Sequence, residues 1–253
     1  MFTEERQEQI LKLLREQGKV YVKDLSKAYD VTEDCIRKDL KVLESSGQLK
    51  RTYGGAILSQ EYPLERDVID RKNYHLDKKK AIAKKAVGLI HNNETIFLDI
   101  STTNIQLARL LAQAKMKVFV VTNMIDILQI VAKNPLITAI GTGGIMYQTV
   151  NGFMGATAIE AIRQYSFERA FIGSCGIDMT DLSVTTFGPE DGLTKKAAIE
   201  NSRHSYVMME KDKFYFNESY KFTHLDDVHG IISDENPDSG IIKTLENAGV
   251  HLY

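Results

Sequence analysis

The sequence predicts a chain of the α/β class, in which a small N-terminal domain precedes a larger domain built on a parallel sheet. Three short helical patterns and a glycine-containing hairpin pattern occupy the first 58 residues. From residue 78 onward, short apolar segments alternate with helical patterns, which is typical of a parallel sheet with helices on both faces. The predicted organisation is therefore a first domain over residues 1–58, a linker over 59–77 and a second domain over 78–253.

The composition is that of an ordinary globular protein, since 43% of the 253 residues are hydrophobic and 26% are charged. No apolar run reaches the roughly 18 residues of a membrane span, and the polar N-terminus lacks the apolar region of a signal peptide. We therefore expect a cytoplasmic protein without membrane contact. Cys35, Cys175 and the six scattered histidines do not have the spacing of a metal site. The sequence predicts neither a disulfide nor a cofactor.

The three N-terminal helices are predicted over Thr3–Gln17, Val22–Tyr29 and Glu33–Ser45. Thr32 is placed to cap the third helix, and the two acidic residues that follow it suit the positive end of the helix dipole. Two helices joined by a short turn, the second of them capped in this way, form a helix-turn-helix.

A small hairpin over Gln48–Leu58 completes the first domain and gives it the pattern of a winged helix-turn-helix. The linker that follows is densely charged, contains Pro63 and is expected to become helical near Val68.

The third helix has two chemically different faces. Ile36, Leu40 and Leu43 form an apolar stripe, while basic residues lie on the other side. A helix of this kind fits the DNA major groove, where arginine binds guanine through two donors. A solvated face on an ordinary helix is the alternative for any one of these residues. The candidate DNA contacts on the helix and hairpin are Thr32, Glu33, Asp34, Arg37, Lys38, Lys41, Lys50, Arg51 and Tyr53.

The second domain is expected to alternate helices with strands. The predicted helices are Lys78–Ile90, Thr103–Gln113, Ile125–Ala132, Ala156–Tyr165, Leu193–Ser202 and Ser239–Ala248. The predicted strands are Thr95–Asp99, Lys117–Thr122, Leu136–Gly141, Arg169–Gly173, Ser205–Met209 and Val228–Ser233.

Small polar residues collect where these strands end, and that edge of a parallel sheet is where ligands bind. Hydroxyls and backbone N–H groups at a helix N-terminus suit a phosphate, carboxylates accept sugar hydroxyls, and lysines neutralise a phosphate. Helix capping, a plain turn and a solvated helix end are the structural alternatives for the individual motifs. The candidate ligand contacts are Asp99, Ser101, Thr102, Thr103, Asn104, Thr122, Asn123, Gly143, Gly144, Asp178, Glu190, Lys195 and Lys213.

Two ordered sets of motifs resemble the DeoR family of transcriptional regulators. In the first domain they are Thr32–Leu40 (TEDCIRKDL), Gly47–Leu49 (GQL) and Arg51–Ala56 (RTYGGA). In the second they are Asp77–Ala83, Asp99–Asn104, Val121–Asn123, Gly143–Gly144, Gly176–Asp178, Glu190 with Lys195, and Glu210–Phe214. The resemblance covers nearly the whole chain.

This resemblance implies a sequence-specific DNA-binding repressor of a sugar-metabolism operon. It further implies a C-terminal sensor domain for a phosphorylated sugar, with a fold related to ribose-5-phosphate isomerase and CoA transferases. The expected partners are double-stranded operator DNA and the sugar-phosphate effector, and the chain is expected to form a homodimer or homotetramer. No catalytic residues are expected.

Two other functions fit parts of the sequence. An enzyme acting on sugar phosphates could use Asp99, Asp178, Glu190 and Lys195 as acid and base groups, but it would leave the first sixty residues without a role. A non-specific nucleic-acid binder is disfavoured by the pI of about 6.3, because non-specific affinity rests on positive charge.

Overall fold

The computed structural model describes residues 3–17, 19–46, 48–52, 54–58 and 68–253. It divides into two compact units, Met1–Glu65 and Arg66–Tyr253. Gly18, Gly47, Tyr53 and residues 59–67 of the predicted linker lie outside the described residues, and only the backbone of Lys50 is described. Residues 68–77, also assigned to the linker from the sequence, lie in the second unit.

The first unit contains the three predicted helices with the predicted bounds, α1 (Thr3–Gln17), α2 (Val22–Tyr29) and α3 (Glu33–Ser45). Each helix contributes large apolar side chains to one small core, including Ile10, Leu25 and Leu40. The helical spacing of these apolar residues explains why sequence periodicity located the helices so well.

The wing of the first unit is a three-stranded sheet rather than a two-stranded hairpin. Its strands β1 (Lys19–Tyr21), β2 (Leu49–Thr52) and β3 (Gly55–Leu58) lie in the order β1-β3-β2, and both pairs are antiparallel. A Cβ on Gly55 would lie 2.0 Å from the carbonyl oxygen of Val20, so only glycine allows β1 to approach this closely. The prediction missed β1 because three residues are too few to show a strand period.

The second unit is built on a seven-stranded parallel sheet with the strand order β15-β14-β12-β9-β4-β5-β6. These strands are β4 (Thr95–Leu98), β5 (Val118–Thr122), β6 (Ile137–Gly141), β9 (Phe167–Gly173), β12 (Ser202–Met208), β14 (Gly230–Ile232) and β15 (His251–Leu252). The helices are α4 (Val68–Asn73), α5 (Leu76–Val87), α6 (Thr102–Gln113), α7 (Ile125–Val131), α8 (Ala156–Arg163), α9 (Pro189–Glu200) and α10 (Ser239–Asn247).

The two faces of this sheet have separate cores, as the predicted class requires. Ile96 and Leu98 of β4 pack with apolar residues of α5, α6 and α7. Phe97, between them in sequence, packs on the opposite face with residues of α8, α9 and α10. Because successive side chains of a strand point to opposite faces, such central strands are buried on both sides.

Several short elements were not predicted. A hairpin of β7 (Ile145–Tyr147) and β8 (Gly152–Met154) follows β6. A second antiparallel sheet combines β10 (Gly176–Asp178), β11 (Ser183–Thr186) and β13 (Tyr220–His224), in the order β10-β11-β13. Their length of three to five residues gives too little periodicity for a prediction.

The start of α9 also differs from the prediction, because the helix begins at Pro189 and not at Leu193. Proline suits the first turn of a helix, where its missing N–H is not needed. The earlier start places Asp191 and Lys195 on one side of α9, one turn apart. None of the described helices is long and apolar enough to cross a membrane.

Candidate functional site

The helix α3 is fixed in the first unit by its apolar stripe and by a buried ion pair. Ile36 and Leu40 are fully buried. On the same side, Asp39 Oδ2 accepts a hydrogen bond from Arg6 Nε of α1 at 2.7 Å, and both side chains are buried. That hydrogen bond raises the pKa of Arg6 above its usual value, so the guanidinium keeps its charge in the contact. The opposite face of α3 is consequently held outward.

The N-terminal turn of α3 contains a helix cap at Thr32. It also contains two acidic residues, Glu33 and Asp34, that bond Arg37 and are called the acidic clamp below. Thr32 Oγ1 accepts a hydrogen bond from Cys35 N at 3.3 Å, as predicted for the cap. Arg37 Nη2 donates to Glu33 Oε2 and Arg37 Nη1 to Asp34 Oδ1, each at 2.7 Å. The Arg37 side chain stays 55% exposed. Lys38 and Lys41 are also exposed on this face.

In the wing, Arg51 is tied back to α3. Its Nε lies 2.6 Å from Glu44 Oε2, and its backbone N–H donates to Glu44 Oε1 at 2.9 Å. Its charge is therefore partly compensated within the protein, although 43% of the side chain remains exposed. Tyr53 and the side chain of Lys50 are outside the described residues.

In the second unit, Asp99 is the centre of a buried polar cluster at the carboxyl ends of β4 and β9. Its carboxylate accepts hydrogen bonds from Asn104 Nδ2 at 2.5 Å, from Gly173 N at 3.0 Å and from Lys195 Nζ. A Cβ on Gly173 would lie 2.7 Å from Ser101 Oγ, so this close approach of β9 requires glycine. The predicted residues Asp99, Ser101 and Asn104 are thus brought together.

Lys195 lies between two carboxylates. Besides Asp99 it contacts Asp191 Oδ1 at 3.3 Å, and Asp191 Oδ2 accepts a hydrogen bond from Thr186 Oγ1 at 2.6 Å. Burial opposes the charge of Lys195, but the negative charges of Asp191 and Asp99 outweigh it and raise its pKa above the usual value. Lys195 is 4% exposed. Its charge is therefore balanced by two carboxylates inside the protein.

The first turn of α6 faces the same edge of the sheet. Ser101 caps the helix by accepting a hydrogen bond from Thr103 N at 3.2 Å, and the side chains of Thr102 and Thr103 are buried. Asn104 donates to the carbonyl oxygen of Phe171 at 2.8 Å, yet its own Oδ1 is buried without a hydrogen-bond partner. The turn combines the positive end of a helix dipole with a buried acceptor that lacks a donor.

Four further predicted ligand residues follow the neighbouring strands β5 and β6 or end them. Thr122 Oγ1 accepts from Met124 N at 3.1 Å, and Asn123 Nδ2 donates to the carbonyl oxygen of Phe153 at 3.1 Å. Asn123 Oδ1, like that of Asn104, is buried without a partner. Gly143 and Gly144 have φ angles of +66° and +120°, and a Cβ on Gly143 would meet nothing within 4 Å. This edge is accordingly open beside Gly143.

Three other predicted ligand residues have different surroundings. Asp178 accepts from Thr180 N at 3.0 Å and lies 3.2 Å from Lys221 Nζ; those two contacts lower its pKa. Glu190 is exposed in the first turn of α9. Lys213, in the turn after β12, donates to the carbonyl oxygen of Ser174 at 2.6 Å, next to the Asp99 cluster.

Several buried polar residues were not among the candidate contacts, although Lys79 and Glu210 lie within the motifs Asp77–Ala83 and Glu210–Phe214. Asp191 was recognisable only once α9 was known to start at Pro189, because it then stands four residues before Lys195. Glu210, which is 2% exposed, lies 2.5 Å from His75 Nδ1. Lys79 donates to the carbonyl oxygens of Arg71 and Tyr74, and so ties α4 to α5.

Among the described residues, no group of three or more His, Cys, Asp or Glu side chains could hold a metal ion. The two sites are therefore an exposed helix face in the first unit and a polar sheet edge in the second.

Comparisons with known proteins agree with this division. Residues 6–61 match the DeoR-like helix-turn-helix domain, and residues 74–235 match the DeoR C-terminal sensor domain. The chain is 32% identical to the lactose phosphotransferase system repressor of Lactococcus lactis, over 83% of this chain and 82% of that one. It is 28% identical to the glycerol-3-phosphate regulon repressor of Escherichia coli, over 98% and 97% of the two chains.

A solved structure of ribose-5-phosphate isomerase A from Methanocaldococcus jannaschii is similar, with a TM-score of 0.41, 18% identity and coverage of 55% of this chain and 54% of that one. The sensor-domain match spans well over half of the chain, and the helix-turn-helix match covers most of the remainder. The chain therefore belongs to the DeoR family of transcriptional regulators.

Proposed function

We propose that the protein is a cytoplasmic repressor of a sugar-metabolism operon, which binds operator DNA through α3 and is controlled by a phosphorylated sugar at the edge of the parallel sheet. The observation that carries the proposal is the exposed basic face of α3, seated on a core by Ile36, Leu40 and the Arg6–Asp39 pair. The names of the two repressors above support the sugar and the phosphate chemistry.

Operator binding places α3 in the major groove, with the wing against the phosphate backbone. Two copies in a homodimer or homotetramer would enter successive grooves about 34–36 Å apart. The residues assigned to this interface are Thr32, Glu33, Asp34, Arg37, Lys38, Lys41, Lys50, Arg51 and Tyr53.

The effector site is assigned to the first turn of α6 and the loops beside it. The unpaired N–H groups and the dipole of a helix N-terminus favour a phosphate, and Lys213 adds a positive charge nearby. The acceptors Asn104 Oδ1 and Asn123 Oδ1 are buried without a hydrogen-bond donor, and sugar hydroxyls are groups that can donate to them. The Asp99–Lys195–Asp191 cluster holds these loops in place and leaves no net positive charge of its own for the phosphate.

For the effector to control operator binding, a change at the effector site must be transmitted to the segment that connects the second unit to the first. Residues 68–79 adjoin residues 59–67 in sequence. They contact the first turn of α7 through Lys72–Asp126 at 2.7 Å and the loop after β12 through His75–Glu210 at 2.5 Å. A ligand that moves α7 or this loop would therefore act on α4 and the residues that follow it. A coupling free energy of about 1–3 kcal/mol changes operator affinity roughly 5- to 150-fold, which is enough for a switch.

The DNA part is tested by selecting duplexes from a random library with the full chain and comparing the dissociation constants for a selected and a scrambled duplex. Arg37→Ala should reduce discrimination at one base pair by about 1–3 kcal/mol. Lys50→Ala should weaken binding to all duplexes alike and lower the slope of log K against log salt by about one. Equal affinity of the unmodified chain for selected and scrambled DNA would refute sequence-specific binding.

The effector part is tested by thermal shift with a panel of sugar phosphates, each matched with its unphosphorylated sugar. A ligand that binds only the folded state raises its stability by about 2.7 kcal/mol at one hundred times its dissociation constant. The active compound should also change affinity for the selected duplex. A panel in which the phosphorylated and unphosphorylated sugars act alike would contradict a phosphate site.

An isomerase activity is not part of this proposal. Of the acid and base groups considered for it, Asp99 and Lys195 are bonded to each other, Asp178 pairs with Lys221, and Glu190 is exposed. Incubation with pentose and hexose phosphates should therefore give no turnover.

A further inference from the structure

We propose that Glu33 and Asp34 position Arg37 to read a single guanine and do not themselves contact DNA. This inference rests on the proposed function, because it assigns roles within the α3 face that would enter the major groove. It changes the role expected for the two acidic residues, which the sequence placed among the DNA contacts.

The geometry holds the arginine fork at both of its ends. Arg37 Nη1 is 2.7 Å from Asp34 Oδ1, and Arg37 Nη2 is 2.7 Å from Glu33 Oε2. The two carboxylates stand three and four residues before the arginine, so all three side chains lie on neighbouring turns of one helix. The arginine is thereby directed along α3 toward its N-terminal turn, which is the part of a recognition helix that meets base edges.

The clamp leaves enough donors for a base. A guanidinium group has five N–H donors, and the two carboxylates use one on each terminal nitrogen. Three donors remain, while guanine needs two, for O6 and N7. Arg37 therefore keeps a sufficient number of donors for guanine while both acids stay bonded to it.

The negative charges of Glu33 and Asp34 disfavour direct contact with DNA but favour a fixed orientation of Arg37. The two carboxylates offset the charge of Arg37, which weakens the attraction of this side chain to phosphates on any sequence. They also keep Arg37 from turning to a phosphate, and they reduce the rotamer freedom that a free arginine would lose on binding. The acidic clamp thus lowers the affinity for DNA of any sequence and raises discrimination at one base pair.

The test uses the full chain and a duplex selected as described above. The position read by Arg37 is identified first, as the base pair at which Arg37→Ala loses discrimination. Dissociation constants are then measured for the selected duplex, for single substitutions at each position and for a scrambled duplex. The variant Glu33→Gln/Asp34→Asn removes both charges and keeps side-chain size, and Glu8→Gln in α1 is the control for loss of an exposed acid elsewhere in the unit.

In the double variant, the ratio of dissociation constants for the substituted and selected duplexes should fall roughly 3- to 10-fold at the Arg37 base pair. At other positions this ratio should not change. Its affinity for the scrambled duplex should rise by about twofold or more. Adding the same changes to Arg37→Ala should not reduce discrimination further. Circular dichroism identifies any loss of α3 folding, and Glu33→Gln and Asp34→Asn are then measured singly.

Unchanged discrimination in the folded double variant would overturn the proposal. So would a loss at a different base pair, or a loss that persists with Arg37→Ala, because either result would make the acids direct readers. Failure of the unmodified chain to distinguish selected from scrambled DNA would instead refute the proposed function, so the two failures are distinguishable.

Discussion

Arg6 of α1 and Asp39 of α3 form a buried ion pair, with Arg6 Nε 2.7 Å from Asp39 Oδ2. Gln7 Nε2 donates to the other carboxylate oxygen, Asp39 Oδ1, at 3.2 Å. The pair joins residues 33 positions apart and lies on the inner side of the helix whose outer side is assigned to DNA. The orientation of the proposed reading face therefore depends on a polar contact as well as on the apolar stripe.

Asp39→Leu should destabilise the first unit by about 3–5 kcal/mol, because it leaves the Arg6 charge buried without its partner. Urea denaturation of the full chain, with hydrogen exchange of α1 and α3 amides to separate the two units, would measure this. Arg6→Met/Asp39→Leu removes both charges and should recover most of the loss. A double variant no more stable than Asp39→Leu would show that the cost arises from packing and not from the unpaired charge.

Lys195→Met should make the stability of the second unit depend on pH. In the wild type the raised pKa of Lys195 stabilises the fold fully below the usual lysine pKa, and this contribution is lost only as pH rises beyond it. Burial already raises the pKa of Asp99, and Lys195 opposes that rise; in the variant this cation is gone, so the pKa of Asp99 rises further. A carboxyl whose pKa is raised on folding binds more protons in the folded state, and stability then falls as pH rises.

We therefore expect Lys195→Met to be less stable by about 3–5 kcal/mol at pH 8 and to recover toward pH 5. Guanidinium denaturation at several pH values measures the effect. Lys196→Met, at the exposed neighbouring position, should stay within about 0.5 kcal/mol of the wild type. A deficit of Lys195→Met that is the same at pH 5 and pH 8 would contradict the charged cluster.

The sequence predicted those parts of the molecule in which one local period decides the structure. The bounds of α3 follow from the spacing of Ile36, Leu40 and Leu43 and from the cap at Thr32. The pairing of β11 with β13 could not be predicted, because it is set by contacts between residues about 40 positions apart, such as Ser183 and His224.

The sequence indicated which residues lie at the candidate sites, but it did not indicate which of them bond each other. The motif Asp99–Asn104 correctly marked the sheet edge. No sequence spacing indicated that Asp99 and Lys195, which are 96 positions apart, satisfy each other. The spacing of Glu33 and Asp34, four and three residues before Arg37, is compatible with ion pairs on one helix, but it does not give the direction of the Arg37 side chain. Long-range charge pairing depends on the folded chain, and local patterns do not contain it.

Lys79→Met should remove a rise in stability at alkaline pH. Burial lowers the pKa of Lys79 to about 8 from the usual lysine value of 10.5, so between these pH values the folded state has lost a proton that the unfolded state still holds. Stability therefore rises with pH in this window, by at most about 3 kcal/mol from this group. The measurement is the difference in unfolding free energy between wild type and variant at pH 7.5 and pH 10. Parallel pH curves for the two proteins would refute the shift, and exposed Lys80→Met is the control.

Lys213→Met should weaken binding of the sugar phosphate identified by thermal shift. Lys213 Nζ donates to the carbonyl oxygen of Ser174, which follows Gly173, and Gly173 N in turn donates to Asp99. A lysine held at this edge can form a charge-assisted hydrogen bond to phosphate, worth about 1.5–3 kcal/mol, so the dissociation constant should rise roughly 10- to 150-fold. Calorimetric titration at two salt concentrations measures this, and the wild type should show the stronger salt dependence.

Lys211→Met is the matched control, since Lys211 lies two residues away and pairs with Glu235 at 3.3 Å. It should bind the ligand as the wild type does. The unphosphorylated sugar should bind the Lys213 variant and the wild type equally, because the lost contact is to phosphate. If Lys213→Met weakened both ligands alike, its role would be to hold the loop after β9 through Ser174, and the phosphate would have to lie on α6 without help from this lysine.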